Sequence, residues 1–328
     1  MKYLFKRHAL AVLAASSFLW AAAPSQAADY PSKPISIVVG YPAGGSVDFT
    51  ARVLGEALSE RLGQSVVIEN MGGAGGTIGA NRVARATADG YTLLVGSTNE
   101  MVIAGMINSA VRYDGLKDFT PIGMIAAQPM MLAASKESGI TNAAQYLDKL
   151  KKGQRGDYTF GSSGVGTALH LAGEMINEST QTHAEHVPYR GVAPLLTDLV
   201  SGQLDYGIFV MSSGLPHVKS GKVVALGVTE ARRSPAAPDI PALAETPGFE
   251  KVDINVWFGL YGPAGLPDGV VTVLRTALDE ILRQDKFREK LAASGAALYK
   301  PGMNARDFQM AETEKYARLV RMAKIERQ

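Results

Sequence analysis

The chain has 328 residues, of which 33 are basic and 31 are acidic, so its formal net charge is +2. It contains no cysteine, which excludes disulfides, thiolate metal sites and a cysteine nucleophile. This length favours two domains, and a near-neutral chain without a stripe of Lys and Arg argues against nucleic acid or an anionic membrane surface as the main partner.

The first residues have the order of a secretory signal. The basic residues Lys2, Lys6 and Arg7 precede an apolar run over 9–23, and small residues follow. The apolar run is too short to span a bilayer, which argues against a membrane anchor. The small residues Ser25 and Ala27, two positions apart, predict cleavage near Ala27 and export of the remaining chain. Loss of the three basic residues leaves 30 basic against 31 acidic residues, a net charge of −1.

Short β-branched runs then alternate with amphipathic helical stretches, which is typical of an α/β protein with a largely parallel sheet. The run 35–39 lacks polar alternation and predicts a fully buried first strand. The other elements expected in the first third are strands over 65–69 and 91–96 and helices over 47–62 and 77–86.

The same alternation continues after residue 120. The further expected strands are 130–134, 158–161, 183–187, 205–210, 223–229 and 257–261. The further expected helices include 141–152, 167–178, 192–201 and a last helix over 305–324. Because the chain crosses over twice, we expect a first domain made of residues 28–125 and 253–328, with residues 126–252 inserted as a second domain.

Three strand-to-helix loops, over 41–48, 70–77 and 161–167, are unusually rich in Gly and Ser. Glycine lets the backbone come close to a ligand, and the N–H groups and dipole of the following helix attract an anion. Ligands of open α/β sheets lie beyond the carboxyl ends of the strands, where these loops are expected. The alternative is that the glycines only permit tight turns, and for the second loop the two interpretations are equally good.

The second loop can also be compared with a dinucleotide fingerprint. Gly73, Gly75 and Gly79 give G-x-G-x-x-x-G, and Ile78 stands where the third glycine of the fingerprint belongs. No phosphate-binding lysine follows any Gly-rich run. The sequence therefore predicts no nucleotide cofactor.

An exported serine hydrolase is the other enzyme class to consider. The chain has no G-x-S-x-G motif, so a Ser-His-Asp site has no anchor in the sequence. His183 and His186 lie on a predicted strand and should point to opposite faces, so they are not expected to bind one metal ion. The sequence predicts neither a catalytic site nor a metal site.

Asp48 in the first loop has two interpretations. A carboxylate in the first turn of a helix offsets the helix dipole, and Arg52 is placed to pair with it one turn later. Alternatively, Asp48 accepts hydrogen bonds from loop N–H groups or from a ligand. The sequence does not separate these roles.

Seven motifs follow one another along the chain: YPSKPISIVVGYPAGGSVDFTAR from residue 30, VVIENMGGAGGTIGANRVARATADGYTLL from 66, FGSSGVGTALHLAGE from 160, HVPYRG from 186, LTDLVSGQLDYGIF from 196, RRSPAAPDIPALAE from 232 and WFGLYGPAGLP from 257. In these motifs the sequence resembles the Bug-type extracytoplasmic solute-binding receptors of tripartite tricarboxylate transporters. The resemblance covers essentially the whole chain after the signal.

This resemblance implies a two-domain periplasmic binding protein of type II-like architecture, each domain being a mainly parallel sheet flanked by helices, with the ligand cleft between them. It implies a receptor that captures a small organic acid and delivers it to integral-membrane permease subunits, without catalysis or cofactor. Composition gives no cue for oligomerisation, so a monomer is the default expectation. A periplasmic sensor that presents its closed form to a signalling partner is the alternative, and an exported serine hydrolase with Ser163 as nucleophile is a weaker one.

The resemblance also implies the site, in which one ligand carboxylate is held largely by backbone N–H groups of two facing loops. The residues implied on one side are Tyr41, Ala43, Gly44, Gly45 and Asp48, and those on the other are Ser162, Ser163, Gly164, Gly166 and Thr167. Ser97, Thr98 and Asn99 are implied as the source of ligand specificity. The chain departs from the family pattern at Gly40-Tyr41, where Pro-Phe is common, and at Asn99-Glu100. A Glu100 carboxylate near the pocket would disfavour a second anionic group or favour an amino group on the ligand.

Overall fold

The computed structural model describes residues 30–327, in which strands and helices alternate along the chain. The strands are β1 (Ile35–Val39), β2 (Val66–Asn70), β3 (Thr92–Ser97), β4 (Phe119–Ser135), β5 (Thr159–Ser162), β6 (Glu185–Pro188), β7 (Tyr206–Val210), β8 (Val223–Val228), β9 (Asn255–Pro263) and β10 (Ala297–Leu298). The helices are α1 (Ser46–Leu62), α2 (Thr77–Ala84), α3 (Ala104–Ile107), α4 (Ala143–Lys152), α5 (Ala168–Thr180), α6 (Val192–Val200), α7 (Met211–Lys219), α8 (Asp268–Ile281), α9 (Asp285–Ala293) and α10 (Ala305–Met322).

The strands form two groups that share β4. In the first group, β1 lies between β2 and β3 in parallel, and β9 runs antiparallel to β3 and to the first part of β4. In the second group, β5 lies between β6 and β7 in parallel, and β7 and β8 run antiparallel to the second part of β4. Strand β4 pairs with β9 as far as Pro129 and with β7 and β8 from Met130 onward, so we call the two groups the first and the second sheet.

The α/β fold expected from the sequence is confirmed, and the sheets are mixed, since β4, β8 and β9 run antiparallel to their neighbours. The prediction was wrong for β4, which the sequence placed only over 130–134. Its first part contains Pro121, Gly123 and Pro129, which weaken the strand signal. The β4–β9 register shifts between Pro121 and Gly123 and again between Met124 and Ala126. Antiparallel pairing with β9 nevertheless runs from Phe119 to Pro129 and keeps this stretch extended.

Helix α1 illustrates how the sequence sets an element of the core. Its apolar residues recur at helical spacing, and Leu54 and Leu58 are fully buried against the first sheet. The helix ends because Gly63 adopts a positive φ of 67°, and its N–H donates to Ser59 O. Strand β1 is buried along nearly its whole length, as expected for a strand with helices on both faces.

Glycines in the second loop and in the elements beside it allow the backbone to pack closely. A Cβ atom on Gly40, at the end of β1, would lie 2.5 Å from Gly76 O, and one on Gly79 would lie 2.9 Å from Gly40 Cα. Gly76 itself has a positive φ of 95°. These contacts favour the turn and packing interpretation of this loop over a dinucleotide-binding one.

Among residues 30–327, no helix combines the length and the apolar character that crossing a membrane requires. The same part of the chain has no group of three or more His, Asp or Glu side chains arranged to hold a metal ion. The predicted signal, residues 1–27, lies outside the described residues.

Candidate functional site

A cavity of about 680 Å³ opens beyond the carboxyl ends of β1, β3, β5 and β6. This volume falls within the range of pockets that hold small organic molecules. Its lining is drawn from both sheets: Tyr41, Pro42, Ala43, Gly44, Gly45, Ser46, Val47, Ser97, Asn99, Ser163, Leu169, Arg190, Gly191, Val192, Ala193, Pro194, Leu196, Thr197, Val200, Ser201, Val210, Ser213, His217, Lys222 and Val256.

The first loop brings the start of helix α1 to the cavity. Gly45 is the N-cap residue and no side chain caps this end, so the first N–H groups of the helix have no partner within it. Gly45, Ser46 and Val47 all line the cavity. This helix start therefore offers a set of oriented donors to an anion.

Asp48 fixes the first loop from behind. Its carboxylate accepts hydrogen bonds from Gly44 N at 2.9 Å, Asn70 Nδ2 at 2.9 Å and Arg52 Nε at 3.0 Å. Asn70 Nδ2 also donates to Tyr41 O at 3.0 Å, so the end of β2 supports the first loop. Asp48 is buried and does not line the cavity, which makes it a positioning residue in this structure.

Burial by itself would raise the pKa of Asp48, but the hydrogen bonds from Arg52, Gly44 N–H and Asn70 outweigh it and hold the pKa below its ordinary value. The stability that Asp48 contributes is therefore present above its unfolded pKa and lost as the pH falls through the folded pKa. We expect Asp48→Asn to lower the free energy of unfolding at pH 7 by about 2 kcal/mol. Urea denaturation should show this difference shrinking at acid pH.

A matched control for this prediction is Asp268→Asn. Asp268 is also in the first turn of a helix, α8, but it is exposed. If both variants lose the same small amount, of about 0.5 kcal/mol, Asp48 acts only through the helix dipole and the network is unimportant.

The segment at the end of β3, residues 97–100, which we call the β3 loop, contains residues with different roles. Ser97 and Asn99 line the cavity, whereas Thr98 is buried and its Oγ1 accepts a hydrogen bond from Trp257 N at 2.9 Å. Ser97 N–H donates to Glu100 Oε1 at 2.7 Å and Ser97 Oγ donates to Glu100 Oε2 at 2.6 Å. The hydroxyl of Tyr41 lies 3.0 Å from Glu100 Oε2 and donates to Gly75 O at 2.8 Å.

Glu100 is 1% exposed and is not part of the cavity lining. Burial raises its pKa to about 7, although the hydrogen bonds from Ser97 and Tyr41 act in the opposite direction. At pH 7 this carboxyl group, held behind Ser97, is ionised in only about half of the molecules, so it repels an anion in the cavity less than a fully ionised carboxylate would.

This raised pKa predicts a pH dependence of stability. The folded chain keeps the Glu100 proton between its unfolded pKa and about pH 7, so its contribution is lost as the pH rises through that window. Relative to the natural chain, Glu100→Gln should be more stable at pH 8 than at pH 5, by about 2 kcal/mol in the free energy of unfolding. Urea denaturation of both proteins at both pH values measures this, and an equal difference at the two pH values would contradict it.

The third strand-to-helix loop, 163–167, precedes α5. Thr167 caps the helix: its Oγ1 accepts from His170 N at 3.4 Å and donates to Gly164 O at 2.9 Å. Ser162 Oγ donates to Gly164 O at 3.0 Å. Ser163 and the helix residue Leu169 line the cavity, while the other predicted residues of this loop stand behind them.

Two stacked histidines make hydrogen bonds to this loop and to the end of β5. The rings of His170 and His186 stack with centroids 3.7 Å apart. His170 Nδ1 accepts a hydrogen bond from Gly166 N at 2.9 Å, and His186 Nε2 lies 2.7 Å from Ser162 Oγ. Burial, together with the neighbouring His170, lowers the pKa of His186 to about 3, so this ring is neutral at physiological pH.

Asn99 joins the two sheets across the cavity. Its Oδ1 accepts a hydrogen bond from Ala168 N, in the first turn of α5, at 2.6 Å. Its Nδ2 donates to the hydroxyl of Tyr41 at 2.8 Å. The first loop, the β3 loop and the start of α5 are thus connected through the side chain of Asn99.

The structure divides the predicted site residues into two groups. Those that line the cavity are Tyr41, Ala43, Gly44, Gly45, Ser97, Asn99 and Ser163. Those that stand behind the lining and hold its loops are Asp48, Thr98, Ser162, Gly164, Gly166 and Thr167.

Sequence reasoning missed one wall of the cavity, which helix α6 and its neighbours form. Gly191, with φ 109°, is the N-cap of α6, so a further helix start faces the cavity beside Arg190. A Cβ atom on Gly191 would lie 3.8 Å from Pro42 Cγ, which places this helix start close to the first loop. The motif HVPYRG and the apolar run from Val192 were the available signals.

Comparison with known proteins identifies the family. The sequence profile described as "Tripartite tricarboxylate transporter family receptor" (TctC) matches residues 50–325. The chain belongs to this receptor family. Among its relatives is the protein BugT of Bordetella pertussis, which is 33% identical over 308 residues that cover 92% of each chain.

Solved structures of similar receptors share the fold. Rpa4515 of R. palustris with adipate has a TM-score of 0.86 and 31% identity, covering 91% of this chain and 99% of that one. The periplasmic binding protein BugD has a TM-score of 0.84 and 33% identity, covering 91% and 100%. MatC of Rhodopseudomonas palustris with bound malate has a TM-score of 0.81 and 29% identity, covering 90% and 100%.

Proposed function

We propose that this receptor-family chain captures a small organic acid in the cavity between its two sheets and delivers it to the integral-membrane permease subunits of a tripartite tricarboxylate transporter. One observation carries the proposal. Within residues 30–327, the cavity lining contains no Asp or Glu, but it contains Arg190, His217, Lys222 and the starts of α1 and α6. Such a lining favours an anion over a neutral or cationic ligand.

The energetics agree with a carboxylate as the anchored group. A partly buried helix start stabilises an anion by up to about 2 kcal/mol, so α1 and α6 together supply up to about 4 kcal/mol. A micromolar receptor needs about 8 kcal/mol. The apolar wall and side-chain hydrogen bonds supply the remainder.

We further propose that residues 28–125 and 253–328 act as one domain and residues 126–252 as another, and that they close on the ligand. Support comes from the two chain crossings. Strand β4 changes partners between Pro129 and Met130, and Thr229 Oγ1 donates to Ile254 O at 2.6 Å beside the second crossing. Thr229 Oγ1 also accepts from Met130 N at 3.1 Å, so both crossings meet at one point that can serve as a hinge.

A binding role without catalysis is part of the proposal. The similar structures Rpa4515 and MatC hold adipate and malate, and BugD is described as a periplasmic binding protein. Ser163, the nucleophile of the hydrolase alternative, lines the cavity, but no hydrogen bond among residues 30–327 joins it to a histidine, and His186 Nε2 lies against Ser162 Oγ, which is buried outside the lining. With the predicted signal at 1–27, we place this binding role in the periplasm, and we take the receptor to act as a monomer without a cofactor.

Isothermal titration calorimetry with adipate and adipamide tests the anion requirement. Adipamide keeps the shape of adipate but replaces both carboxylates with neutral amides. We expect micromolar binding of adipate and at least about tenfold weaker binding of adipamide. The proposal would be contradicted if adipate and adipamide bound with equal affinity. It would also be contradicted if adipate and every other acid in a panel of carboxylates failed to bind.

The transport step needs a separate experiment. Deletion of the gene should abolish uptake of the acid that binds, and the natural chain should restore it. A sensor would bind the same acid while its deletion left uptake unchanged.

A further inference from the structure

We propose that the acid is a long dicarboxylate, with one carboxylate at the helix starts, its methylene chain along α6 and its second carboxylate near Lys222. This inference rests on the proposed function and narrows its ligand class. It comes from the part of the cavity that the predicted site residues do not reach.

Helix α6 is apolar on two faces. Leu195 and Leu199 are buried against the second sheet, whereas Val192, Leu196 and Val200 line the cavity. An ordinary surface helix turns charged or polar residues outward. Here Val200 is 39% exposed and Val192 is partly exposed, while Leu196 between them is buried, and an apolar group lying against this row would remove the exposed surface from water.

The position of these residues gives the length of the cavity. Val192 is in the first turn of α6 and Val200 is its last residue, so the lining follows the helix for eight residue steps, or about 12 Å. Val210, from the end of β7, adds to the same apolar wall. A short acid such as malate, held at the helix starts, would leave most of this wall uncovered.

The far end of the cavity is polar and basic. Ser213 and His217 on α7 and Lys222 in the following turn line it there. The Oγ atom of Ser213 is buried and has no hydrogen-bond partner among the described residues. Lys222 is exposed and has no carboxylate within 4.0 Å in residues 30–327, so its ammonium group is available to pair with a ligand anion.

These three observations select one ligand chemistry. A carboxylate at each end matches the helix starts at one end and Lys222 with the Ser213 hydroxyl at the other. A saturated chain between them covers the outer face of α6 and removes it from water. A monocarboxylate of the same length would satisfy the wall but leave the basic end without an anion.

Calorimetry with malate, adipate, suberate and octanoate tests the length and the second charge. Each additional buried methylene group should raise the affinity about fourfold, so suberate should bind more tightly than adipate and both more tightly than malate. Octanoate should bind more weakly than suberate, by about fivefold.

Two pairs of variants locate the effect. Lys222→Ala should weaken suberate about fivefold and leave octanoate unchanged, while the exposed Lys219→Ala, outside the lining, should change neither. Val200→Asp should weaken suberate at least about tenfold, whereas Val67→Asp, at a similarly exposed valine on β2, should not. Both valines are on the surface, so folding is not at risk.

The outcomes separate this inference from the proposed function. If malate binds as tightly as suberate, or if Val200→Asp is silent, the inference is wrong while a carboxylate receptor remains. If octanoate binds as tightly as suberate, or if Lys222→Ala weakens the binding of both acids equally, the inferred contact between a second carboxylate and Lys222 is wrong. Binding of none of the four acids would overturn both proposals.

Discussion

Asn99→Ala should lower the affinity for suberate about ten- to a hundredfold. The side chain of Asn99 makes one hydrogen bond on each side of the cavity, to the Tyr41 hydroxyl and from Ala168 N. Removing it leaves a buried donor at the start of α5 and a phenol without its partner, which costs about 1 to 3 kcal/mol. The loss falls on binding, because these two contacts connect elements that the two sheets contribute.

The matched control for this change is Asn142→Ala. Asn142 caps α4, where its Oδ1 accepts from Gln145 N at 2.9 Å, and it lies outside the cavity lining. This variant should lose about 1 kcal/mol of stability and keep its affinity.

A second variant, Asn99→Asp, separates the two bonds of Asn99. It retains the acceptor for Ala168 N but brings a carboxylate into the lining and removes the donor to Tyr41. It should therefore bind suberate at least as weakly as Asn99→Ala. Calorimetry measures the affinity of Asn99→Ala, Asn99→Asp and Asn142→Ala for suberate. If Asn99→Ala binds suberate as tightly as the natural chain does, the bridging role of Asn99 is refuted.

Gly40→Ala should be the most destabilising of the substitutions considered. The added Cβ would lie 2.5 Å from Gly76 O and 2.7 Å from Gly76 Cα, and both are backbone atoms that no rotamer change can move. Overpacking of this kind costs about 3 kcal/mol, which corresponds to a fall of about 6 °C or more in Tm. Thermal unfolding followed by circular dichroism measures it.

Gly45→Ala is the control for this prediction, because Gly45 also has a negative φ and a Cβ there would meet only Pro42 O, at 3.8 Å. It should change Tm by no more than about 2 °C. If Gly40→Ala is equally mild, the close approach of the first two loops is not a constraint on the fold.

The hydrophobic pattern was sufficient to predict the alternating elements of the chain. Strand β1 was predicted at its observed bounds, and helix α1 begins one residue before the predicted start. These elements are determined by local periodicity and by a glycine stop, which act over a few residues. Helix α7 was missed because Pro216 stands inside it and its short length gives a weak periodic signal.

The candidate site was only partly accessible to the same reasoning. The Gly-rich loops marked the helix starts, and the family resemblance supplied the residues expected there. Neither could show that Asp48 and Ser162 stand behind the lining, or that Glu100 is buried between Ser97 and Tyr41. Those facts depend on which side chains meet across elements distant in sequence.

By itself, then, the sequence determined the alternating α/β pattern, the anion-attracting loops and the membership of a receptor family, because local periodicity, glycine placement and ordered motifs are written in consecutive residues. Only the tertiary structure decided that Asn99 links Tyr41 to the start of α5, and that apolar residues of α6 line the same cavity as Lys222. The two contacts of Asn99 join residues more than fifty positions apart, so they depend on how the strands are ordered in the sheets. That order could not be predicted from neighbouring residues, because the prolines of β4 weaken the strand signal of the element that connects the two sheets.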